Sequence, residues 1–336
     1  MSEKNKIVVI LGPTASGKSD FAVKLAKKFN GEIISADSRQ VYKGLDIGTG
    51  KITKKEMKGV KHYLLDVADP IPRHSSGQER FNASDYKKLA EKAIGEILAK
   101  GKIPIICGGT GFYIDALLGN KQIPEIPPNE KLREKLEKKS AEELFKILQK
   151  LDLERAKNID AKNPRRLVRA IEICKALEKV PPLHQGSAEQ AKYKVLKIGI
   201  APIKKELTHP QTPSLKLREG AKGESYIFDE KTLKNRINKR LEKRVKQGMI
   251  LEAKNLHRKG LSFKRMRELG LEYGALAGFL EKKITKKEMV ERLQKEIWHY
   301  AKRQMTWFKK DKNIIWLRVH EDLNLDQSFW RRLFYH

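Results

Sequence analysis

The sequence predicts an α/β protein: a doubly wound parallel sheet with an inserted helical lobe and a basic helical C-terminal part. Three observations carry this. Short apolar runs alternate with amphipathic, helix-period stretches between residues 6 and 119, as in a parallel sheet covered by helices on both faces. A proline-stiffened joint, Ile123-Pro124-Glu125-Ile126-Pro127-Pro128, then opens a stretch from Asn129 to Lys179 that is almost wholly helical in pattern. From Asp229 to Lys310 the chain is helical again, and most of its basic excess lies there. The expected organisation is an α/β core over 1–122, an inserted helical lobe over 123–190, and a return to the core with basic helices over 191–336.

The first element is Ile7-Val8-Val9-Ile10-Leu11, a buried strand, and Asp20 to Phe29 follows as an amphipathic helix. Between them Gly12-Pro13-Thr14-Ala15-Ser16-Gly17-Lys18-Ser19 fits G-x-x-x-x-G-K-[ST]. In a strand–loop–helix setting such a P-loop is an anion cradle of backbone N–H groups and a helix N-terminus. Lys18 adds a point charge and the Ser19 hydroxyl a ligand for Mg²⁺. A loop that only turned the chain would not need the Gly-Lys-Ser ending. The motif therefore predicts a grip on a phosphate or diphosphate, without specifying a nucleoside triphosphate.

Gly31 to Ala36 reads as a second strand ending at Asp37, and His62 to Val67 as a third, closed by Asp69-Pro70. Asn82 to Lys100 has helical periodicity, with Ala83, Tyr86, Leu89, Ala90, Ile94 and Leu98 on one face. Ile103 to Cys107 is a continuous apolar strand running into Gly108-Gly109-Thr110-Gly111. Val195 to Ala201 and Asn313 to Val319 are further strand candidates. Ligands of such a sheet lie at the carboxyl ends of its strands, where the P-loop, Asp37 and Gly108-Gly109-Thr110 all fall. Residues Thr208 to Ser225, polar and rich in Pro and Gly, read as a mobile surface insertion.

Composition narrows the partners. The net charge is +30 and charged residues make up 34% of the 336, a balance that draws polyanions, nucleic acid first among them. A uniformly lysine-decorated surface would give the same total. Position argues against that: Lys231 to Gly270 holds 14 Lys and Arg against 3 Asp and Glu, where an even spread would leave about +3.6. Two distant cysteines, Cys107 and Cys174, exclude a disulfide framework and offer no metal-site spacing. No apolar run approaches membrane-spanning length and no signal region precedes the first strand, so a cytosolic protein without membrane contact is expected.

P-loop nucleotidases usually place a magnesium-organising Asp after an apolar strand. Here Ile103 to Cys107 ends in Gly-Gly-Thr, so Asp37 is the better-placed acid. Neighbouring strand ends lie about 5 Å apart, within reach of a substrate held by Ser16 to Ser19. Asp37 would then be a general base or a magnesium-organising group; a cap for the following segment is the plainer alternative.

Several motifs occur in order over nearly the whole chain. They are the P-loop, Ala36-Asp37-Ser38-Arg39-Gln40-Val41-Tyr42, Asp46-Ile47-Gly48-Thr49, Gly108-Gly109-Thr110-Gly111, Pro164-Arg165-Arg166-Leu167-Val168-Arg169-Ala170 and Lys302-Arg303-Gln304-Met305-Thr306-Trp307-Phe308. This ordered set resembles the bacterial tRNA dimethylallyltransferase (tRNA isopentenyltransferase) family. The resemblance implies transfer of the dimethylallyl group of dimethylallyl diphosphate to N6 of adenine 37, beside the anticodon of tRNA. It implies that the P-loop holds the diphosphate, that Asp37 takes the amine proton and that Thr110 sits at the reacting centre. It also implies tRNA contacts from Asp37, Ser38, Arg39, Gln40, Thr110, Arg165, Arg166, Leu167, Val168, Arg169, Arg267, Lys302, Arg303, Gln304 and Trp307. A monomer binding the anticodon stem-loop, with Mg²⁺ as cofactor, is the matching expectation.

The chain departs from the family pattern where a Gly-Tyr-Arg-like ending is usual and Gly270-Leu271-Glu272-Tyr273 stands instead. Two other readings fit the P-loop: a small-molecule P-loop kinase and an adenylate isopentenyltransferase acting on a free nucleotide. Neither uses the basic helices after residue 230.

Overall fold

Every pairing in the main sheet is parallel, and its strand order sets where the ligand can lie. The computed structural model describes residues 5–71, 81–119, 124, 126–127, 129–177, 192–204 and 227–317. The elements up to residue 117 are β1 (Lys6–Leu11), α1 (Lys18–Lys28), β2 (Gly31–Ser35), α2 (Lys54–Met57), β3 (His62–Tyr63), α3 (Ala83–Ala99), β4 (Ile103–Gly108) and α4 (Gly111–Leu117). The helices α5 (Glu130–Leu136), α6 (Ala141–Leu151), α7 (Leu153–Lys157) and α8 (Pro164–Leu177) follow. The chain then returns through β5 (Lys194–Ile200), β6 (Ile203–Lys204), β7 (Ile227–Phe228) and α9 (Glu230–Lys246). It continues through α10 (Met249–Arg258), α11 (Phe263–Leu269), α12 (Leu271–Leu280), α13 (Lys286–Phe308) and β8 (Ile315–Leu317).

The six-stranded sheet runs β3-β2-β4-β1-β5-β8. Its two middle strands, β4 and β1, are almost wholly apolar because both faces are covered. Val8, Ile10, Ile33, Ile105 and Ile198 pack with Phe21, Val23 and Leu25 of α1 in one core. Alternation puts Ile7, Val9, Ile34 and Ile106 on the opposite face. α3 starts at a capping box in which Asn82 accepts from the Ser84 and Asp85 amides, and it buries Tyr86, Ala90, Ile94 and Ile97.

The order corrects one expectation. β4 lies between β1 and β2, so Asp37 is two strands from the P-loop, roughly 10 Å between strand axes rather than one spacing. The third strand is also shorter than His62 to Val67, because Leu64 (φ 61°) and Asp66 (φ 58°) take left-handed backbone that ends the extended run.

Contacts divide the chain into two units, residues 1–117 with 192–336, and 118–191. In the first, α9 to α13 build a core of their own around Leu233, Ile237, Leu241, Met266, Leu276 and Leu293, which takes in Val41, Tyr42 and Leu45 from the loop after β2. In the second, Leu144 and Leu148 of α6 pack with Leu167 and Ile171 of α8. Its buried Glu172 is held by Arg133, Arg169 and the Asn129 amide. The 208–225 insertion lies outside the described residues.

Candidate active site

β1 ends at Leu11 and the chain turns at once. A Cβ on Gly12 (φ 151°) would collide with the Ile200 carbonyl oxygen of β5, so only glycine fits there. Gly17 (φ 94°) begins α1 with no side-chain cap. The first amides of α1 therefore have no intrahelical partner and remain available to an anion. The Ser16 hydroxyl is buried without a hydrogen-bond partner, a donor with nothing yet to bind. Lys18 Nζ donates to the Pro13 carbonyl at 3.2 Å. Burial pushes its pKa below the ordinary lysine value, with the Cys107 thiol pulling it back up and the Arg240 guanidinium lowering it further. A desolvated ammonium resting on one carbonyl has much to gain from an incoming polyanion.

Asp37 follows β2, and the loop it begins is tied to β4. The Ala36 amide donates to the Cys107 carbonyl, the Thr110 amide to the Ala36 carbonyl, and the Ser38 amide to Thr110 Oγ1 at 3.0 Å. Asp37 Oδ1 accepts from the Arg39 and Gln40 amides at 2.8 and 3.3 Å, so Asp37 does cap its own turn. Both bonds fall on one oxygen. Oδ2 is left for a donor from outside, and the side chain opens into the same cavity as Lys18, Ser19 and Thr14.

Residues that sequence reasoning missed complete this cavity. Arg240 and Arg244 of α9 line it together with Glu272 and Tyr300. Arg240 donates to the Gly50 carbonyl at 3.0 Å, and burial followed by the neighbouring Arg244 brings its pKa down to about 10. Arg244 donates to the Gly48 carbonyl and to Glu272 Oε1, each at 2.9 Å, while its Nε has no partner. Glu272, the position that departs from the family pattern, is thus the counter-ion of a buried arginine. The signal was present: Arg240 and Arg244 stand three and seven residues after Ile237, on the face of α9 that buries Leu233, Ile237 and Leu241. Tyr300 lies beside Thr110 and interacts with it and with the Asp37 carboxylate. Burial, then the Asp37 carboxylate, raises the Tyr300 pKa.

The residues expected to touch tRNA separate into exposed and buried sets. Lys302 and Arg303 are exposed on α13, and Arg165 and Arg166 on α8. Leu167 and Val168 are corrections: at 0% and 7% exposure they belong to the core of their unit and offer no side chain to RNA. Arg169 is mostly committed, pairing with Glu172 at 2.8 Å and donating to the Ile126 carbonyl. Arg267 pairs with Glu281 at 2.6 Å but keeps half its side chain exposed. Trp307 donates to Asp115 at 3.1 Å, and Gly111 passes against its ring. Gln304 is buried, with its amide bound at both ends. Among the described residues no cluster of three His, Cys, Asp or Glu could hold a metal, and no helix is long and apolar enough to cross a membrane.

The IPP transferase family profile matches residues 40–212 and 221–311. The chain is 35% identical to a tRNA dimethylallyltransferase of Acetivibrio thermocellus, over 99% of this chain and 97% of that protein. It is 39% identical to tRNA dimethylallyltransferase 2 of Treponema denticola, over 92% and 93%. The crystal structure of a tRNA delta(2)-isopentenylpyrophosphate transferase from Staphylococcus epidermidis superimposes with a TM-score of 0.65 at 33% identity, covering 99% of this chain and 100% of that one. A family match over most of the chain, and relatives 35–39% identical over nearly their full length, show that the chain belongs to the IPP transferase family of tRNA-modifying transferases.

Proposed function

We propose that this protein transfers the dimethylallyl group of dimethylallyl diphosphate to N6 of adenine 37 in tRNA, releasing diphosphate. The observation that carries the proposal is the single cavity shared by Lys18, Asp37 and Arg240. The N6–carbon bond forms as the allylic carbon–oxygen bond breaks, the electron pair leaves with the diphosphate, and Asp37 Oδ2 takes the amine proton. An exocyclic amine is a poor nucleophile, so a hydrogen bond to a fixed carboxylate raises its electron density; a positioned base is typically worth about 10²–10⁴-fold. Lys18, Arg240, the Ser16 hydroxyl and the loop amides stabilise the departing charge without having to reorganise. Ser38 and Tyr300, bound to or beside Thr110, hold the Asp37 loop against β4.

Mg²⁺ suits this donor set. It keeps most of its shell as water and phosphate oxygens and takes few protein ligands. Ser19, with Asp37 in the same cavity, would be the protein side of its site, and the ion would supply charge neutralisation for the diphosphate. For the RNA, the reading assigns phosphate contacts to Lys302, Arg303, Arg165 and Arg166, and a flipped adenine to the Asp37 side of the cavity. The protein would act as a monomer in the cytosol.

Incubation with labelled dimethylallyl diphosphate, and separately with labelled ATP, each with and without total tRNA, tests this. Prenyl label in tRNA alone supports the proposal. Label in free nucleotide, or phosphoryl transfer from ATP, overturns it.

A further inference from the structure

We infer that Gln304 is a positioning residue that fastens the P-loop to the loop after β4, and that it does not contact RNA. Its neighbours Lys302, Arg303 and Thr306 are exposed, whereas Gln304 itself is 6% exposed on the opposite side of α13. Oε1 accepts from the Thr14 amide at 2.8 Å, and Nε2 donates to the Gly109 carbonyl at 2.8 Å. A Cβ on Gly109 would strike Nε2, so the glycine keeps that approach open.

The place of these bonds gives them their meaning. The hydrogen-bonded register between β1 and β4 ends at Leu11 and Gly108. Beyond it lie the P-loop and the loop that carries Thr110. Gln304 bonds Thr14 on one loop and Gly109 on the other, past the last register pair of the two strands. Gly109 precedes Thr110, whose hydroxyl accepts from the amide next to Asp37. One planar amide thereby links the diphosphate cradle to the carboxylate. Glutamine is the fitting residue because it offers one acceptor and one donor at the end of a long side chain; Glu lacks the donor and Met lacks both. Reacting atoms must be held about 3–3.5 Å apart, and a displacement of about 1 Å costs on the order of 10²-fold.

The kinetic part of the test rests on the proposed prenyl transfer, so binding is measured separately. Gln304→Met keeps the volume and loses both bonds. Its affinity for inorganic diphosphate, by calorimetry without tRNA, should fall about tenfold. Its kcat should fall about tenfold or more, and its tRNA Kd at fixed salt should stay within about twofold of wild type. Arg303→Ala should do the reverse, weakening tRNA and sparing diphosphate. Gln304→Glu keeps the Thr14 acceptor and is the second variant should the Met protein unfold early; it too should lose kcat and keep tRNA affinity. Diphosphate affinity and kcat within about twofold of wild type, or a loss confined to tRNA affinity, would overturn the inference. If wild type binds diphosphate but does not prenylate tRNA, the functional reading fails, while the diphosphate comparison still judges Gln304.

Discussion

β2 has a carboxylate near each end, and the two are used in opposite ways. Near its amino end, Glu32 is 4% exposed and its oxygens are filled: Lys100 and Tyr63 donate to Oε2, Lys102 to Oε1. Just past its carboxyl end, Asp37 spends one oxygen on its own turn and keeps the other. The surroundings repeat the contrast. Lys100 at the first end also donates to Tyr63, closing the cluster on itself. At the second end Ser16 and Arg244 Nε have no partner, and Lys18 and Arg240 carry depressed pKa values caused first by burial. Saturated polar groups hold a sheet together; polar groups kept dry and unsaturated are waiting for a ligand.

Substitutions at the unsaturated end test that contrast hardest. Asp37→Asn keeps an acceptor for the Arg39 and Gln40 amides and so keeps the turn, but it removes the proposed base. Turnover should fall by at least about a hundredfold with tRNA affinity and unfolding midpoint unchanged. Prenyl transfer at near wild-type rate would show that Asp37 is only a cap.

Lys18→Met should come next, at about 3 kcal/mol of lost transition-state stabilisation, seen in single-turnover transfer with tRNA affinity retained. If tRNA affinity fell instead and the transfer step did not, the cradle would not be the diphosphate site.

What the sequence made legible follows the range of the interactions. The P-loop is local: backbone amides and one lysine within eight residues define it, so its pattern is enough. Strand order is not local. Nothing near Asp37 indicates that β4 is threaded between β1 and β2, which is why one strand spacing was expected where two are found. Family motifs mark segments rather than side chains, so Leu167 and Val168 came along with their exposed neighbours although period 3.6 turns them inward. Part of the basic excess between Lys231 and Gly270 is likewise internal, since Arg244 and Arg265 are buried. The motif that contains Gln304 gives no sign of its role between the two loops, because its partners stand 290 and 195 positions away.

The lobe arginines should give a smaller effect. Arg169 is held by Glu172 and the Ile126 carbonyl, so the exposed pair Arg165 and Arg166 is the one to change. Replacing both with Ala should flatten the log–log salt dependence of tRNA binding by about one to two units and leave diphosphate affinity unchanged. Superimposable slopes would remove α8 from the RNA surface.

The smallest effect belongs to the saturated end, and it should fall on stability alone. Burial would raise the Glu32 pKa, but hydrogen bonds from Lys102, Lys100 and Tyr63 outweigh it and bring it to about 2, from an ordinary 4.5. A carboxylate depressed on folding stabilises the native state above its unfolded pKa, and that contribution is lost as pH falls through the folded one. Because the lysine side chains are a third or more exposed, solvent screening cuts the contribution to roughly 1–2 kcal/mol. Glu32→Gln should therefore lower the unfolding free energy by that amount at about pH 7. The gap to wild type should hold down to about pH 4.5 and close as the pH drops towards 2. Prenyl transfer at neutral pH should match wild type, since the cluster lies at the far end of the strands from Asp37. Urea titrations of both proteins from about pH 7 to about pH 3 give the comparison. A gap that stays constant over the whole range would mean that the carboxylate's charge contributes nothing, while lost activity in a folded variant would mean that the two ends of β2 are not as separate in function as their hydrogen bonding makes them.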